Sequence, residues 1–327
     1  MRYSLILKLS GCFSEICCSL KTYSGVILMA TRFRRKFMRL FVTDLDGTLL
    51  DSEHRSTEFG IAALRKAVAA GIEVCIASGR SYADIMGKIS GFGISPYVIS
   101  SNGASLHDKD GKKLMTTSIP IDEAAAVMKY LEDHSLEFEA STDEFTYVTQ
   151  GSIDLLKQEL EDLGKDSQKR EQLYKDVLGL VLSQGNLKIV PTLEDILSSI
   201  DHANTISSIS AYKHKIRSGM DYFSMNKNLL TFSSWKYNFE VTSSKASKGE
   251  ALKRLCELKG ISLDDVAAIG DNYNDTSMIR IAGIKGAMSN SVDQLLKIAD
   301  YISDDNDHEG AAKFLLAAMD GKVSRKA

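Results

Sequence analysis

The sequence predicts an α/β fold with a doubly wound, Rossmann-like parallel sheet and an inserted α+β domain. Short apolar runs alternate with helical segments, and the runs lack the polar alternation of half-exposed strands, which is typical of strands buried on both faces. A long middle stretch breaks this alternation. The chain has 327 residues, more than one compact core usually contains, which also favours a second domain.

Four apolar runs supply the predicted core strands, at residues 39–44, 72–78, 96–103 and 265–271. Between the first two lies TEFGIAALRKAVAAG, in which Ile61, Leu64, Ala67 and Val68 recur at helical spacing and Gly71 is the expected stop. This strand–helix–strand unit indicates a parallel sheet covered by helices.

The middle of the chain has a different pattern. A hairpin is expected near Asp110-Gly111, followed by the helix IDEAAAVMKYLEDH, paired strands LEFEAS and FTYVTQ, several helices and two more strand-like runs. We expect NFEVTSS to return to the core sheet. Residues 121–239 are therefore predicted to form the inserted α+β domain, and residues 38–120 and 240–327 the α/β core.

Residues 1–37 are predicted to be an N-terminal extension. Residues 1–40 carry eight Lys or Arg and a single Glu, a pattern also found in targeting segments and nucleic-acid arms. We favour an unstructured extension, or a start assigned upstream of a true start at Met29 or Met38.

Composition limits the cellular locations and binding partners that we expect. The net charge of −3 indicates no nucleic-acid partner. No stretch approaches the ~20 apolar residues of a spanning helix, so no membrane partner is expected. The five cysteines show no disulfide framework, which favours the cytoplasm. Nothing in the sequence indicates the oligomeric state.

Polar side chains follow each predicted core strand. The strand ends place Asp44, Asp46, Ser78, Asn102 and Asp271 at one edge of the sheet. Ligands of open parallel sheets bind beyond the carboxyl ends of the strands. The sequence therefore predicts a binding site at this edge.

Two carboxylates one residue apart, Asp44 and Asp46, point to a metal ion. Two such groups cannot both ionise comfortably without a cation, and oxygen ligands favour a hard ion such as Mg²⁺. Asp271 and Asp275 could face the same ion across a strand-to-helix turn. An EF-hand loop is excluded, because the stretch lacks its third ligand before the glycine and its final glutamate. The alternative is a pair of solvated loop acids.

A lysine at a helix start adds affinity for an anion. Ser247 and Glu250 have capping-box spacing, which puts Lys248 in the first helical turn. A helix N-terminus already favours anions, and a cation there strengthens the preference. Carboxylates with a metal, a lysine and a hydroxyl together fit a phosphoryl group.

The motifs DLDGTLL, ASGR, SKG and GDNYND, in that order, resemble the four motifs of the haloacid dehalogenase superfamily. The SNGA after the third strand and the large insertion behind it are similar to the Cof-type phosphatases. The resemblance covers residues 38–320. It implies a Mg²⁺-dependent phosphatase of the cytoplasm that acts on a small phosphorylated metabolite, with the insertion as a cap over the site.

The resemblance also implies residue roles. Asp44 would be the nucleophile, and Asp46 the general acid and base, whose backbone carbonyl also ligates the metal. Asp271 would be a direct metal ligand and Asp275 an outer one. The remaining matched positions would contact phosphate or substrate: Thr48, which also supports Asp46, Ser78, Gly79, Lys248 and Asn274 as phosphate contacts, and Asn102 and Gly103 near the substrate.

The sequence is compatible with two alternative functions, and it departs from the family pattern at one motif. A phosphomutase would pass the same phosphoryl group to a sugar, and a phospholigand-binding module would keep the pocket without turnover. Met288-Ser289-Asn290-Ser291 stands where the resemblance implies Met-Gly-Asn-Ala. The substrate could be a sugar phosphate, a nucleotide or pyridoxal phosphate. The scattered histidines, among them His54 and His107, are expected on the surface.

Overall fold

The computed structural model describes residues 38–162, 177–182, 186–233 and 236–323. The predicted extension, residues 1–37, lies outside the described residues. The strands of the described part are β1 (Leu40–Thr43), β2 (Glu73–Ala77), β3 (Tyr97–Ser100), β4 (Ser105–His107), β5 (Lys113–Thr116), β6 (Ile119–Pro120), β7 (Glu139–Ser141), β8 (Thr146–Thr149), β9 (Leu187–Val190), β10 (His202–Ala203), β11 (Thr205–Ile209), β12 (Leu229–Phe232), β13 (Asn238–Ser243), β14 (Val266–Gly270), β15 (Ile284–Met288) and β16 (Tyr301–Ser303).

The helices connect these strands and cover the sheets. They are α1 (Glu58–Ala69), α2 (Tyr82–Ile89), α3 (Ile121–Asp133), α4 (Gln150–Asp162), α5 (Gly179–Leu182), α6 (Leu193–Ser199), α7 (Lys213–Phe223), α8 (Lys248–Lys259), α9 (Thr276–Ile281), α10 (Asp293–Ile298) and α11 (Gly310–Met319). None of the helices in the described ranges is both long and apolar enough to cross a bilayer.

An eight-stranded sheet forms the core, in the order β16-β15-β14-β1-β2-β3-β4-β5. The first six strands are parallel, and β4 and β5 add an antiparallel hairpin at one edge. Each of the four predicted core runs contains one strand of this sheet. The predicted hairpin is β4–β5, and Gly111 occupies the left-handed region in its turn with φ of 80°.

Both faces of this sheet are buried, as the continuous apolar runs predict. Alternate residues of β1 pack on opposite sides: Phe41 joins a core with α1, α2 and α11, and Leu40 and Val42 join a core with α8, α9 and α10. Helices on both faces confirm the doubly wound fold.

Helix α1 begins and ends near the expected residues. The Thr57 side chain caps it by accepting from the backbone N of Gly60, and Gly71 follows its end with φ of 80°. Ala67 and Leu64 are buried, but Val68 is 43% exposed, so its assignment to the apolar face is wrong.

A second sheet has six strands in the order β12-β13-β11-β7-β8-β9, and β6 pairs with β10 separately. Helices α3, α6 and α7 share an apolar core with it. The expectation that NFEVTSS returns to the core sheet is wrong. Strand β13 pairs with β11 and β12, so the expected boundary at residue 239 falls inside a strand of the second sheet. A separate cap domain stays a prediction.

Candidate active site

The ends of β1 and β14 bring the two main acidic motifs together. These neighbouring parallel strands pair Thr43 with Ile269, and the backbone N of Asp44 donates to the Ile269 carbonyl at 3.1 Å. Asp44 and Asp271 therefore emerge at the same edge of the sheet, although 226 residues separate them in sequence.

Asp44, Asp271 and Asp275 form the acidic cluster, in which one ligand atom of each lies within 4.8 Å of the others. Burial raises the pKa of Asp44 well above its ordinary value, and the charge of Asp275 raises it further. Burial and the same Asp275 charge raise the pKa of Asp271 to about 6. These carboxylates repel one another, so they fit a divalent cation, which removes that repulsion.

Lys248 is the counter-ion of this cluster. Its Nζ donates to Asp44 Oδ1 at 2.8 Å and to Asp275 Oδ1 at 2.6 Å, and its side chain is fully buried. Ser247 caps α8 by accepting from the backbone N of Glu250, as predicted, so Lys248 is the first residue of the helix. Burial alone would lower the pKa of Lys248, but the charges of Asp275 and Asp44 raise it above its ordinary value.

Asp275 also organises the loop after β14. Its Oδ2 accepts from the backbone N of Asp271 at 2.9 Å and of Asn272 at 3.0 Å. A carboxylate with these donors and Lys248 is held in one orientation. Asp275 thereby fixes the loop that carries Asp271.

The side chain of Asp46 lies apart from the acidic cluster. Arg80 donates two hydrogen bonds to this carboxylate, from Nε to Oδ2 at 2.6 Å and from Nη2 to Oδ1 at 2.8 Å. His54 Nδ1 lies 2.9 Å from Asp46 Oδ1. Burial alone would raise the pKa of Asp46, but the hydrogen bonds and charge of Arg80, with a smaller effect of His54, lower it. Asp84 accepts from Arg80 Nη1 at 2.5 Å and completes the network.

The Thr48 hydroxyl contacts Asp271 rather than Asp46. We predicted it to support Asp46, but it is buried and donates to Asp271 Oδ1 at 2.7 Å, and its contact with phosphate stays a prediction. Gly47 makes this approach possible, because it has φ of 70° and a Cβ there would lie 2.7 Å from Asp271 Oδ2. The two residues thus hold the acidic cluster rather than Asp46.

The second and third strands supply the neutral part of the site. Ser78 is buried, and its carbonyl accepts from the backbone N of Asn102 at 3.0 Å. Asn274 Nδ2 donates to Asn102 Oδ1 at 2.9 Å, which joins the loop after β14 to the end of β3. Gly79 packs against the Asn102 amide, where a Cβ would lie 3.2 Å away.

Gly103 lets the end of β3 approach helix α8. It has φ of 96°, and a Cβ there would lie only 2.1 Å from the Ser247 carbonyl oxygen. Gly103 therefore allows close packing of β3 against the start of the helix that carries Lys248, and its predicted place near the substrate stays a prediction.

A cavity of about 370 Å³ opens over these residues, and we call it the main cavity because Asp44 and Asp46 line it. The core contributes acids, hydroxyls and amides, and Arg80 is the only Lys or Arg among its described lining residues. The second sheet contributes a polar wall opposite them. Its lining residues from that wall are Glu139, Ser141, Thr146, Asn186, Thr205, Ser207, Ile209, Phe232, Asn238 and Glu240.

The segment Met288-Ser289-Asn290-Ser291, which differs from the expected motif, contacts the loops of the site. Asn290 Nδ2 donates to the Gly47 carbonyl at 2.9 Å, and Ser291 Oγ donates to the Gly270 carbonyl at 3.1 Å. Ser289 is exposed. The position that differs from the expected glycine thus points to solvent, and its neighbours tie the first and last motifs together.

Sequence reasoning missed Arg80, Asp84 and His54. Arg80 stands in the quoted ASGR, and its spacing of four from Asp84 on the following helix was the available signal. The expectation of surface histidines is wrong for His107, which is 3% exposed and stacks on Tyr82 with centroids 3.9 Å apart.

Residues 41–315 match the family model of haloacid dehalogenase-like hydrolases. The chain belongs to this family. Phosphatase YwpJ of Bacillus subtilis is 34% identical over 282 residues, covering 85% of this chain and 99% of the relative. A solved haloacid dehalogenase-like hydrolase from B. subtilis has a TM-score of 0.72 at 33% identity, covering 85% of this chain and 99% of its own.

A further B. subtilis relative, 5-amino-6-(5-phospho-D-ribitylamino)uracil phosphatase YwtE, is 29% identical over 289 residues, with 88% of this chain and 100% of the relative covered. The chain is thus an enzyme of the Cof-type phosphatases in this family.

Proposed function

We propose that this enzyme is a Mg²⁺-dependent phosphatase that hydrolyses a small phosphorylated metabolite through an aspartyl-phosphate on Asp44. The observation that carries this proposal is the position of Asp44. Its carboxylate lies at the floor of the main cavity, 2.8 Å from Lys248 Nζ and within the acidic cluster.

In the first step an Asp44 oxygen attacks phosphorus while the bond from phosphorus to the leaving oxygen breaks. Asp46 donates a proton to that oxygen, and the free alcohol departs. In the second step Asp46 takes a proton from water, whose oxygen attacks phosphorus and releases phosphate from Asp44. Arg80 and His54 engage both Asp46 oxygens, so these contacts must open before Asp46 acts as an acid.

The acidic cluster is the candidate Mg²⁺ site, with Asp44 and Asp271 as ligands and Asp275 holding the loop behind them. A bound Mg²⁺ would neutralise charge on the phosphoryl oxygens. Lys248 keeps Asp44 in place, and Ser78 and Asn274 are proposed to donate to the phosphoryl group. The backbone carbonyl of Asp46 is proposed as a further ligand.

The second sheet is proposed to act as a cap that receives the leaving group. Its polar wall of hydroxyls, amides and carboxylates fits a leaving group with several hydroxyls, such as the ribityl chain in the substrate that names YwtE. We also propose a cytoplasmic location, because Cys75 and Cys256 are buried free thiols in the described part of the chain.

The test is release of inorganic phosphate from a panel of sugar phosphates, nucleotides and pyridoxal phosphate, with and without Mg²⁺. Asp44→Asn should lower kcat by roughly a thousandfold or more, because amide oxygen is a poor nucleophile. Asp293→Asn, an exposed change on α10, is the matched control. Full activity of Asp44→Asn would contradict the mechanism, and conversion of a sugar phosphate to its isomer without phosphate release would favour a phosphomutase.

A further inference from the structure

A second cavity of about 220 Å³ opens beside the main cavity. The two cavities share four lining residues, Asn102, Phe232, Asn272 and Asn274. Because Asn102 and Asn274 also border the proposed phosphoryl position, a leaving group attached there could extend into the second cavity. The proposed mechanism makes no use of this space.

The walls of the second cavity are largely apolar. Leu230 and Phe232 lie two residues apart on β12, so their side chains share one face of the strand. Tyr273 lies on the loop after β14 and also lines the cavity. Leu230 is 44% exposed and Tyr273 is 63% exposed. Apolar side chains exposed in a concave site gain free energy when a ligand covers them.

Thr242, one of the residues that line this cavity, carries a buried hydroxyl. Thr242 lies opposite Leu230 on β13 and is fully buried, and its Oγ1 has no hydrogen-bond partner among the residues that the structure describes. Asn274 Oδ1 is likewise buried without a partner within the same described ranges. A buried oxygen without a hydrogen bond destabilises the protein, and a ligand N–H that reached it would supply the missing partner.

We propose that the second cavity is a subsite for a planar heteroaromatic ring on the leaving group. Leu230, Phe232 and Tyr273 would cover the faces and edge of the ring, and rotation of the Thr242 side chain would turn its buried hydroxyl towards a ring N–H. This inference rests on the proposed function and deepens it. It selects phosphate esters whose alcohol carries such a ring over simple sugar phosphates.

The test compares uridine 5′-monophosphate with ribose 5-phosphate, which differ only in the ring and its attachment. Affinities are measured by calorimetry on Asp44→Asn protein, and phosphate release is measured on wild-type protein with Mg²⁺. We expect the uridine ester to bind roughly tenfold more tightly, the gain typical of one stacked base.

Two substitutions locate the ring. Leu230→Ala removes apolar cover, and Thr242→Val removes only the unpartnered hydroxyl at constant shape, so the fold is retained. Each should lower the affinity ratio of the two esters by about threefold or more. Ile302→Ala, an exposed apolar change on β16, is the control and should leave the ratio unchanged.

Equal affinity for the two esters would overturn the subsite, as would a ratio that neither substitution alters. Failure of the proposed function gives a different result. In that case wild-type protein releases no phosphate from either ester, whereas the affinity ratio and its dependence on Leu230 and Thr242 still support the ring subsite.

Discussion

Lys248 is the residue on which the acidic cluster depends. Its buried ammonium lies between Asp44 and Asp275, and both carboxylates are themselves almost fully buried. An ion pair of this kind gains little over apolar packing, but removing one partner leaves charge buried without compensation. The lysine therefore contributes to stability as well as to the proposed chemistry.

Replacing Lys248 with Met should lower the free energy of unfolding by about 3 kcal/mol in metal-free buffer, because Asp44 and Asp275 would then repel each other in a buried site. Urea denaturation measures this change. The control is Lys253→Met, because Lys253 lies on the exposed side of the same helix. This change should alter the free energy of unfolding by less than about 0.5 kcal/mol. Equal effects of the two changes would refute the assigned role of Lys248.

At the level of elements, the site depends on the fit between the end of β3 and the start of α8. Gly103 contacts the Ser247 carbonyl in a backbone region that side chains rarely adopt. Any Cβ there must push the first turn of α8 away. Lys248 lies in that turn, so the position of its ammonium depends on a glycine 145 residues earlier.

Gly103→Ala should therefore lower the urea midpoint and the activity together. The left-handed backbone alone costs about 1–2 kcal/mol for alanine, and the contact with Ser247 adds to this. Gly87→Ala is the control, because Gly87 lies in α2 with open space around it, and alanine favours a helix by up to about 1 kcal/mol. A Gly103→Ala protein as stable as wild type would show that α8 can shift without cost.

The elements that the sequence predicted well share a physical cause. Strands β1, β2, β3 and β14 are continuous apolar runs, since both faces are covered by helices. Strand β15 was missed because its sequence IKGAM contains a lysine and a glycine, and β16 has only three residues. Strand β13 was placed in the wrong sheet, because strand character alone does not identify the neighbouring strand. The Arg80–Asp46 contact was missed for the same reason.

The two sheets also meet at a point away from the main cavity. Asp143, in the turn between β7 and β8, forms ion pairs with Lys113 of β5 and lies 3.9 Å from His107 Nε2 of β4. Its Oδ1 accepts from Asn204 at 2.8 Å, and its carbonyl accepts from the backbone N of Ala83. Burial alone would raise the pKa of Asp143, but the hydrogen bond and charge of Lys113 lower it.

The lowered pKa gives this contact a pH dependence with a definite sign. The folded protein binds the Asp143 proton less tightly than the unfolded chain, whose Asp pKa is about 3.9, so the contribution is complete above that pH and is lost as the pH falls through the lower folded pKa. Lys113→Met should cost on the order of 1 kcal/mol at pH 7, since the lysine is partly exposed.

Urea midpoints at pH 7, 4 and 3 measure this dependence. The difference between wild type and Lys113→Met should be largest at pH 7 and should shrink as the pH falls below about 3.9, where Asp143 of the unfolded chain takes up a proton. Lys112→Met, at the exposed neighbouring position, is the control and should differ little from wild type at any of these pH values. A Lys113→Met deficit that is constant with pH would mean that the lysine acts through packing rather than charge.

For the whole molecule, the acidic cluster predicts that stability depends on a metal ion. Without a metal ion, Asp44, Asp271 and Asp275 repel one another, and the charge of Lys248 offsets this repulsion only in part. Asp271→Asn removes part of this repulsion and keeps an oxygen for the Thr48 hydroxyl, so the metal-free variant should melt at a higher temperature than metal-free wild type. Added Mg²⁺ should reverse that order, because binding to the folded state stabilises wild type by mass action while the variant has lost a ligand. Thermal melts with and without EDTA measure both values, and a Mg²⁺ response that Asp271→Asn leaves intact would place the ion elsewhere.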